Sequence, residues 1–186
     1  MNESRSTDAG ALIRDSFAVA TRTDNLVPLL LDALFVLSVG TCTAGILFPA
    51  LFHGYTAMCM RAARGDTVTI GESFQGIQRF GGAFVLGLLV LLILVVTTIV
   101  PILGNFVGAC VAWWAWCFHV DHPEASALDA IKGSFGILRA HLVETVLVAA
   151  VCAGLHALLF ATGIGLVLTL AFSGVLTAVA YRRLAG

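Results

Sequence analysis

The sequence predicts an all-α fold, a polytopic membrane helical bundle, and three observations carry that expectation. The ten Lys and Arg residues fall into four clusters: Arg5, Arg14 and Arg22; Arg61, Arg64 and Arg79; Lys132 and Arg139; Arg182 and Arg183. Between the clusters, the runs 33–60, 80–120 and 145–181 contain no Asp, Glu, Lys or Arg. Composition agrees: 59% of residues are hydrophobic and 11% charged, whereas soluble domains carry about 25% charged residues. A helix needs about 20 apolar residues to cross a hydrocarbon core about 30 Å thick, so each run is long enough to go in and come back.

Short loops rich in Lys and Arg stay on the cytoplasmic side. If all four basic clusters obey that rule, each apolar run is a hairpin that enters and leaves by the same face, giving about six transmembrane helices with both termini cytoplasmic. Turn formers stand near the middle of each run, at 40–45, 101–105 and 162–165. The first hairpin is short for two full crossings, and Pro49 is placed to break its second leg into a re-entrant half-helix. Six crossings is the expectation adopted.

Each hairpin is preceded by the pattern Ile-x-x-Ser-Phe, at 13–17, 70–74 and 131–135, followed shortly by Arg22, Arg79 and Arg139. Three copies at near-equal spacing predict a threefold internal repeat over approximately 8–60, 66–120 and 123–183, within a single integral membrane domain of 1–186. These segments read as amphipathic cytoplasmic helices. Ile70, Phe74, Ile77 and Phe80 share one face, as do Leu128, Ile131, Phe135 and Leu138, with charges mostly elsewhere. Such helices lie in the headgroup plane or fold against the ends of the spans. Thr69 with Glu72 fits a capping box, and Pro123 suits the first turn of the third segment.

Several functions are excluded or set aside. Net charge is −1, so no basic field attracts nucleic acid. The start of the chain lacks the layout of a cleavable secretory signal, and the first span is expected to be retained. Five cysteines without a close pair predict no disulfide framework; they read as small packing residues. No nucleophile with a base, no phosphate-binding loop and no carboxylate pair appears, so no catalytic residue, metal or cofactor is assigned and the protein is expected not to be an enzyme. Gly104, Gly108, Ala149, Ala153, Ala157, Gly174 and Ala178 read as small residues for close helix contact.

Ionisable groups within the apolar runs are the candidate sites. Asp32 is the one acid inside an apolar stretch and thus a candidate intramembrane ion or proton site; the simpler reading is that it lies shallow enough to reach the cytoplasmic interface or accepts a hydrogen bond from a Ser or Thr on a neighbour. Glu144, beside His141 and Arg139, reads as an interfacial ion pair, and His53 and His156 stand at different depths. Cys117, His119, Asp121, His122 and Glu124 cluster without a standard zinc spacing. Trp113, Trp114, Trp116, Tyr55 and Tyr181 are expected as lipid-facing or interfacial anchors. Arg79, Lys132 and Arg139 form a candidate cytoplasmic interaction face.

The Ser-Phe segments, the Tyr-x5-Arg-x2-Arg-Gly stretch from Tyr55 to Gly65, and the terminal Ala180-Tyr181-Arg182 together resemble a group of uncharacterised bacterial six-span integral membrane proteins. That group is similar to the membrane domain associated with some glycerophosphodiester phosphodiesterases. The resemblance implies a non-enzymatic accessory or scaffold module of the bacterial cytoplasmic membrane. Its expected partners are the lipid bilayer, a cytoplasmic or membrane protein, or a second copy of the chain. On that reading, removing Arg79, Lys132 and Arg139 disturbs function while Asp32→Ala is silent. The competing expectation is a small transporter or channel using Asp32.

Overall fold

The structure is a computed structural model that describes residues 9–99, 103–159 and 163–185. Among these residues every regular element is a helix and none is a strand. In chain order the elements are α1 (Ala9–Ala20), α2 (Thr23–Cys42), α3 (Phe48–Arg64), a 3-10 segment (Glu72–Arg79), α4 (Phe80–Thr97), α5 (Leu103–Asp121), α6 (Ala127–Ala140), α7 (Leu142–Leu159) and α8 (Gly163–Ala185).

Among the described residues, three helical runs are long and apolar enough to cross a membrane: Thr23–Cys42, Glu72–Thr97 and Ile164–Ala185. A fourth joins them if α6 and α7, bent by 104°, count as one broken span. Three to four is fewer than the six expected, and α3 shows one reason. Its 17 residues span only about 25 Å at 1.5 Å per residue, and they include His53, Arg61 and Arg64. Pro49, expected to break this leg, instead starts it: it occupies the first turn of α3, where its missing N–H costs nothing. Parts of the second and third turn regions, 100–102 and 160–162, lie outside the described residues.

α8 packs against α1, α2, α3, α5 and α7. Val175, Leu176, Ala178, Val179 and Tyr181 pack with Leu51, Tyr55, Met58 and Cys59 of α3 and with Leu29, Ala33 and Val36 of α2. Small side chains permit the approach, since a β-carbon on Gly174 would stand 2.9 Å from Cys59 Sγ. α4 is the opposite case, buried over only 17% of its span against 61% for α8. Val85, Leu88, Leu91, Leu92, Val95 and Val96 are all exposed along it, an apolar surface that only lipid or another apolar partner covers without penalty.

The basic residues gather at one end and lace the helices there. Arg64 pairs with Asp121 at 2.7 Å, joining the ends of α3 and α5. Arg22 donates to the Gly65 carbonyl at 3.1 Å, Arg182 donates to the Ala63 carbonyl, and Arg183 pairs with Asp15 of α1. Four helix ends thus meet at the face where the sequence clusters its positive charge.

The segments before the hairpins depart from expectation in detail. The second is a 3-10 helix, not an α-helix. The third starts at Ser126 rather than at Pro123. Ser126 Oγ accepts from Asp129 N–H at 3.2 Å while Asp129 Oδ2 accepts from the Ser126 N–H at 3.3 Å, a complete capping box. The Ser126 hydroxyl and amide hold the Asp129 carboxyl below its ordinary value. The aromatic anchors are corrected as well. Trp114, Trp116, Tyr55 and Tyr181 are buried, because their rings fill the contacts of α3, α5 and α8, and only Trp113 is half-exposed.

Candidate functional site

Asp32 lies midway along α2 and is fully buried. Its two carboxylate oxygens are both engaged: Gly71 N–H donates to Oδ1 at 2.7 Å and Ser73 N–H to Oδ2 at 2.9 Å. These amides open the 3-10 segment, whose first residues have no intrahelical acceptor and whose dipole favours a negative charge there. Two turns earlier on the same face, the buried Asn25 accepts from Val68 N–H at 3.4 Å. The two polar side chains of α2 therefore hold the irregular backbone of 68–73. The expected Ser or Thr partner is corrected: Asp32 meets the Ser73 amide, not a hydroxyl. Buried backbone groups outside regular helix need partners elsewhere, and Asn25 and Asp32 supply them.

Two further contacts fix the same segment. Glu72 Oε1 accepts from both the amide and the hydroxyl of Thr69, at 2.8 and 2.9 Å, while its Oε2 pairs with Arg61 at 2.9 Å. The cap position itself belongs to Gly71, at φ 90°, a conformation that glycine adopts without a Cβ penalty. Beyond it, Gly76 crosses α3 at Gly54 with backbone against backbone.

On the other side of this crossing is a polar cleft of about 180 Å³ lined by His53, Arg61, Glu72, Gln75, Gln78 and Arg79. His53 and His119 are both buried and their rings meet edge to face with centroids 5.1 Å apart. Neither His53 Nε2 nor His119 Nδ1 has a hydrogen-bond partner among the described residues. Arg79 donates to the Pro123 carbonyl at 3.2 Å. Among the described residues no group of three His, Cys, Asp or Glu converges as metal ligands do. The sequence placed His53 and His119 in separate clusters, and α3 and α5 bring them together.

The remaining predicted residues are scattered. Glu144 is half-buried at the start of α7 and, contrary to expectation, forms no ion pair with Arg139 or His141 among the described residues. Lys132 stands 3.9 Å from Asp129, one turn away on α6, and Arg139 is exposed at the end of that helix. His156 directs Nδ1 to the Cys152 carbonyl at 2.8 Å. All five cysteines are free, four of them buried and Cys42 exposed as the last residue of α2.

A second, larger cavity of about 380 Å³ lies between α5 and α7, with Thr177 of α8 at its back. Its walls are almost wholly apolar, from Phe106, Cys110 and Trp113 on α5 to Val148, Ala149 and Ala153 on α7. Sequence reasoning missed it. Ala149 and Ala153, read as residues for close helix contact, line this cavity, Ala149 also packing against the Cys110, Val111 and Leu138 cluster, and a stripe of small residues looks the same in either case.

Compared with protein-family models, with curated proteins and with solved structures, the chain finds no match.

Proposed function

We propose that this chain is a non-enzymatic accessory module of the bacterial cytoplasmic membrane, multi-pass, with both termini cytoplasmic. Three repeated interfacial segments would hold lipid on one face and partners on the other. One observation carries the reading. In the three Ile-x-x-Ser-Phe segments the serines are buried, Ser16 at 5% and Ser73 and Ser134 at 0%, while the adjoining Phe17, Phe74 and Phe135 are 57%, 39% and 43% exposed. Ile13, Ile70, Ile77 and Leu128 are exposed with them. The phenylalanine of each segment thus turns outward, as a helix lying in the headgroup plane requires, and the common in-and-out pattern supports the threefold repeat, although Leu138 of the third segment is buried. Six crossings as three hairpins then place every basic cluster on one side. Arg79, Lys132 and Arg139, the candidate interaction face, are all exposed.

Nitroxide labels at 17, 74 and 135, in the full chain reconstituted into vesicles, test this reading. Collision with oxygen should exceed collision with a water-soluble nickel chelate at all three positions. Free access of the chelate would overturn it. The competing reading, a small transporter or channel with an ion or proton site at Asp32, has no observation in its favour, since both oxygens of that carboxylate already accept from backbone amides.

A further inference from the structure

A third cavity, of about 370 Å³, opens at the basic end of the bundle, where the 3-10 segment runs into α4 beside the end of α5. Gln78, Arg79 and His119 supply its polar side chains, and Gly81 and Gly82 leave its floor bare. No acid lines it: Glu124 stands between Pro123 and Ala125 in the chain, yet only those two neighbours belong to the wall. Gln78 and Arg79 also line the polar cleft beside His53, so the two spaces adjoin. The one acid of that cleft, Glu72, is already paired with Arg61.

The polar groups of this cavity lack partners of their own. Arg79 is exposed and directs one N–H to the Pro123 carbonyl at 3.2 Å, which leaves the rest of its guanidinium fork unused. It pairs with no carboxylate among the described residues, whereas Arg61, Arg64, Lys132 and Arg183 each do. Its charge acts on both the His53 and the His119 rings. His119 is 4% exposed. Of its two nitrogens, Nδ1 is sealed from solvent without a partner, whereas Nε2, also unpartnered among the described residues, is not sealed. The Cε1–Nε2 edge is the one turned to the glycine floor, since a β-carbon on Gly82 would stand 3.5 Å from both atoms. A buried N–H without an acceptor is costly, so the ring proton is assigned to Nε2, a donor on the cavity side.

The cavity also leads onto apolar surface. Gly81, Val85, Leu88, Leu92 and Val95 follow one another at helical spacing along one face of α4, and all are exposed. The stripe therefore starts at the cavity's own glycine and runs away from the basic end.

We propose that this cavity binds a phosphate group, held by the Arg79 guanidinium, the Gln78 amide and the His119 Nε2–H, and that the group belongs to an anionic phospholipid whose acyl chain lies on the α4 stripe. An unpaired Arg with neutral donors and no acid suits a phosphate oxygen, and the bare glycines let the group approach the backbone. A cationic headgroup would find no carboxylate here. The inference rests on the membrane reading above and deepens it by naming the lipid and its seat.

The test titrates the full chain in detergent with phosphatidylglycerol and follows bound lipid by native mass spectrometry. Phosphatidylcholine with the same chains and inorganic phosphate form the other arms. A single phosphatidylglycerol should bind roughly tenfold tighter than phosphatidylcholine, and Arg79→Gln, at an exposed position, should weaken it by about the same factor, as loss of a charged hydrogen bond does. Lys132→Gln, which removes an exposed cation outside the cavity, should leave binding unchanged. His119→Gln keeps a donor near the Nε2 position and should bind more tightly than His119→Phe. Equal affinity for the two lipids, or equal losses from Arg79→Gln and Lys132→Gln, would overturn the proposal. Inorganic phosphate binding as tightly as the lipid would overturn the lipid as ligand and assign the seat to soluble phosphates. A nitroxide at 92, in the full chain in vesicles, reports membrane placement separately. If it meets oxygen rather than a nickel chelate while lipid selectivity is absent, the membrane reading stands and the phosphate seat alone falls.

Discussion

Gly54 of α3 and Gly76 of the 3-10 segment meet with no side chain between them. A β-carbon on Gly54 would stand 2.1 Å from the Ser73 carbonyl oxygen, and one on Gly76 would stand 1.9 Å from the Ala50 carbonyl oxygen. In lipid, where no hydrophobic force drives helices together, such backbone contact is a main source of packing energy. It also explains why the 3-10 segment seats so closely on α3.

Gly54→Ala and Gly76→Ala should therefore each destabilise the fold by about 3 kcal/mol, the upper end of overpacking costs, because the obstacle is rigid backbone. Thermal unfolding in detergent checks this. The control is Gly81→Ala, where an added carbon meets nothing within 4 Å; its melting point should stay near that of the wild type.

Asp32→Ala should not be silent, contrary to the expectation from sequence. It leaves the Gly71 and Ser73 amides without acceptors, at roughly 1–3 kcal/mol each. Asp32→Asn keeps one acceptor oxygen but turns an NH2 group toward the other amide, and it should lose a comparable amount. Limited proteolysis of the 65–71 loop reads the effect directly: both variants should be cut there faster than the wild type, and equal rates would show that Asp32 does not hold the segment.

Breaking the Arg64–Asp121 pair should cost much less. Their side chains are 47% and 32% exposed, and ion pairs in that setting contribute about 0–1 kcal/mol. A double-mutant cycle with Arg64→Ala and Asp121→Ala should give a coupling within that range, shrinking further as salt is added. A larger coupling would mean that the basic end is shielded from water.

Cys42 makes the unmodified chain its own topology reporter. It is the one exposed cysteine, and Cys59, Cys110, Cys117 and Cys152 are buried. A membrane-impermeant maleimide applied outside intact cells should modify a single thiol, and Cys42→Ser should abolish the signal. Protection of Cys42 until the membrane is opened would mean that the first hairpin re-enters without crossing. Ser73, a natural choice of inner control from sequence, is fully buried; the exposed Gln75 serves instead.

The helical class, the apolar runs and the one-sided clustering of Arg were legible because each depends on residue type and order alone. Charge avoids hydrocarbon wherever the chain goes, and the Ile-x-x-Ser-Phe pattern carries its periodicity in the sequence. The caps were partly legible: Glu72 does bind Thr69, but the 3-10 cap is completed by Asp32 from α2, far away in sequence. Tyr55, Trp114 and Tyr181 were misread as surface anchors, since an aromatic ring has the same identity whether it faces lipid or a neighbouring helix.

By itself, the sequence determined that this chain belongs in an apolar medium and where its polar ends are, because transfer free energies are properties of individual side chains. Only the tertiary structure decided which buried polar groups would be satisfied and which would not. It paired Asp32 with the amides of Gly71 and Ser73, brought His53 to His119, and left Trp114 Nε1 and Thr145 Oγ1 without a hydrogen-bond partner among the described residues. Those outcomes depend on which helix faces meet and how closely, a geometry set by glycine contacts and side-chain volumes that no linear pattern encodes.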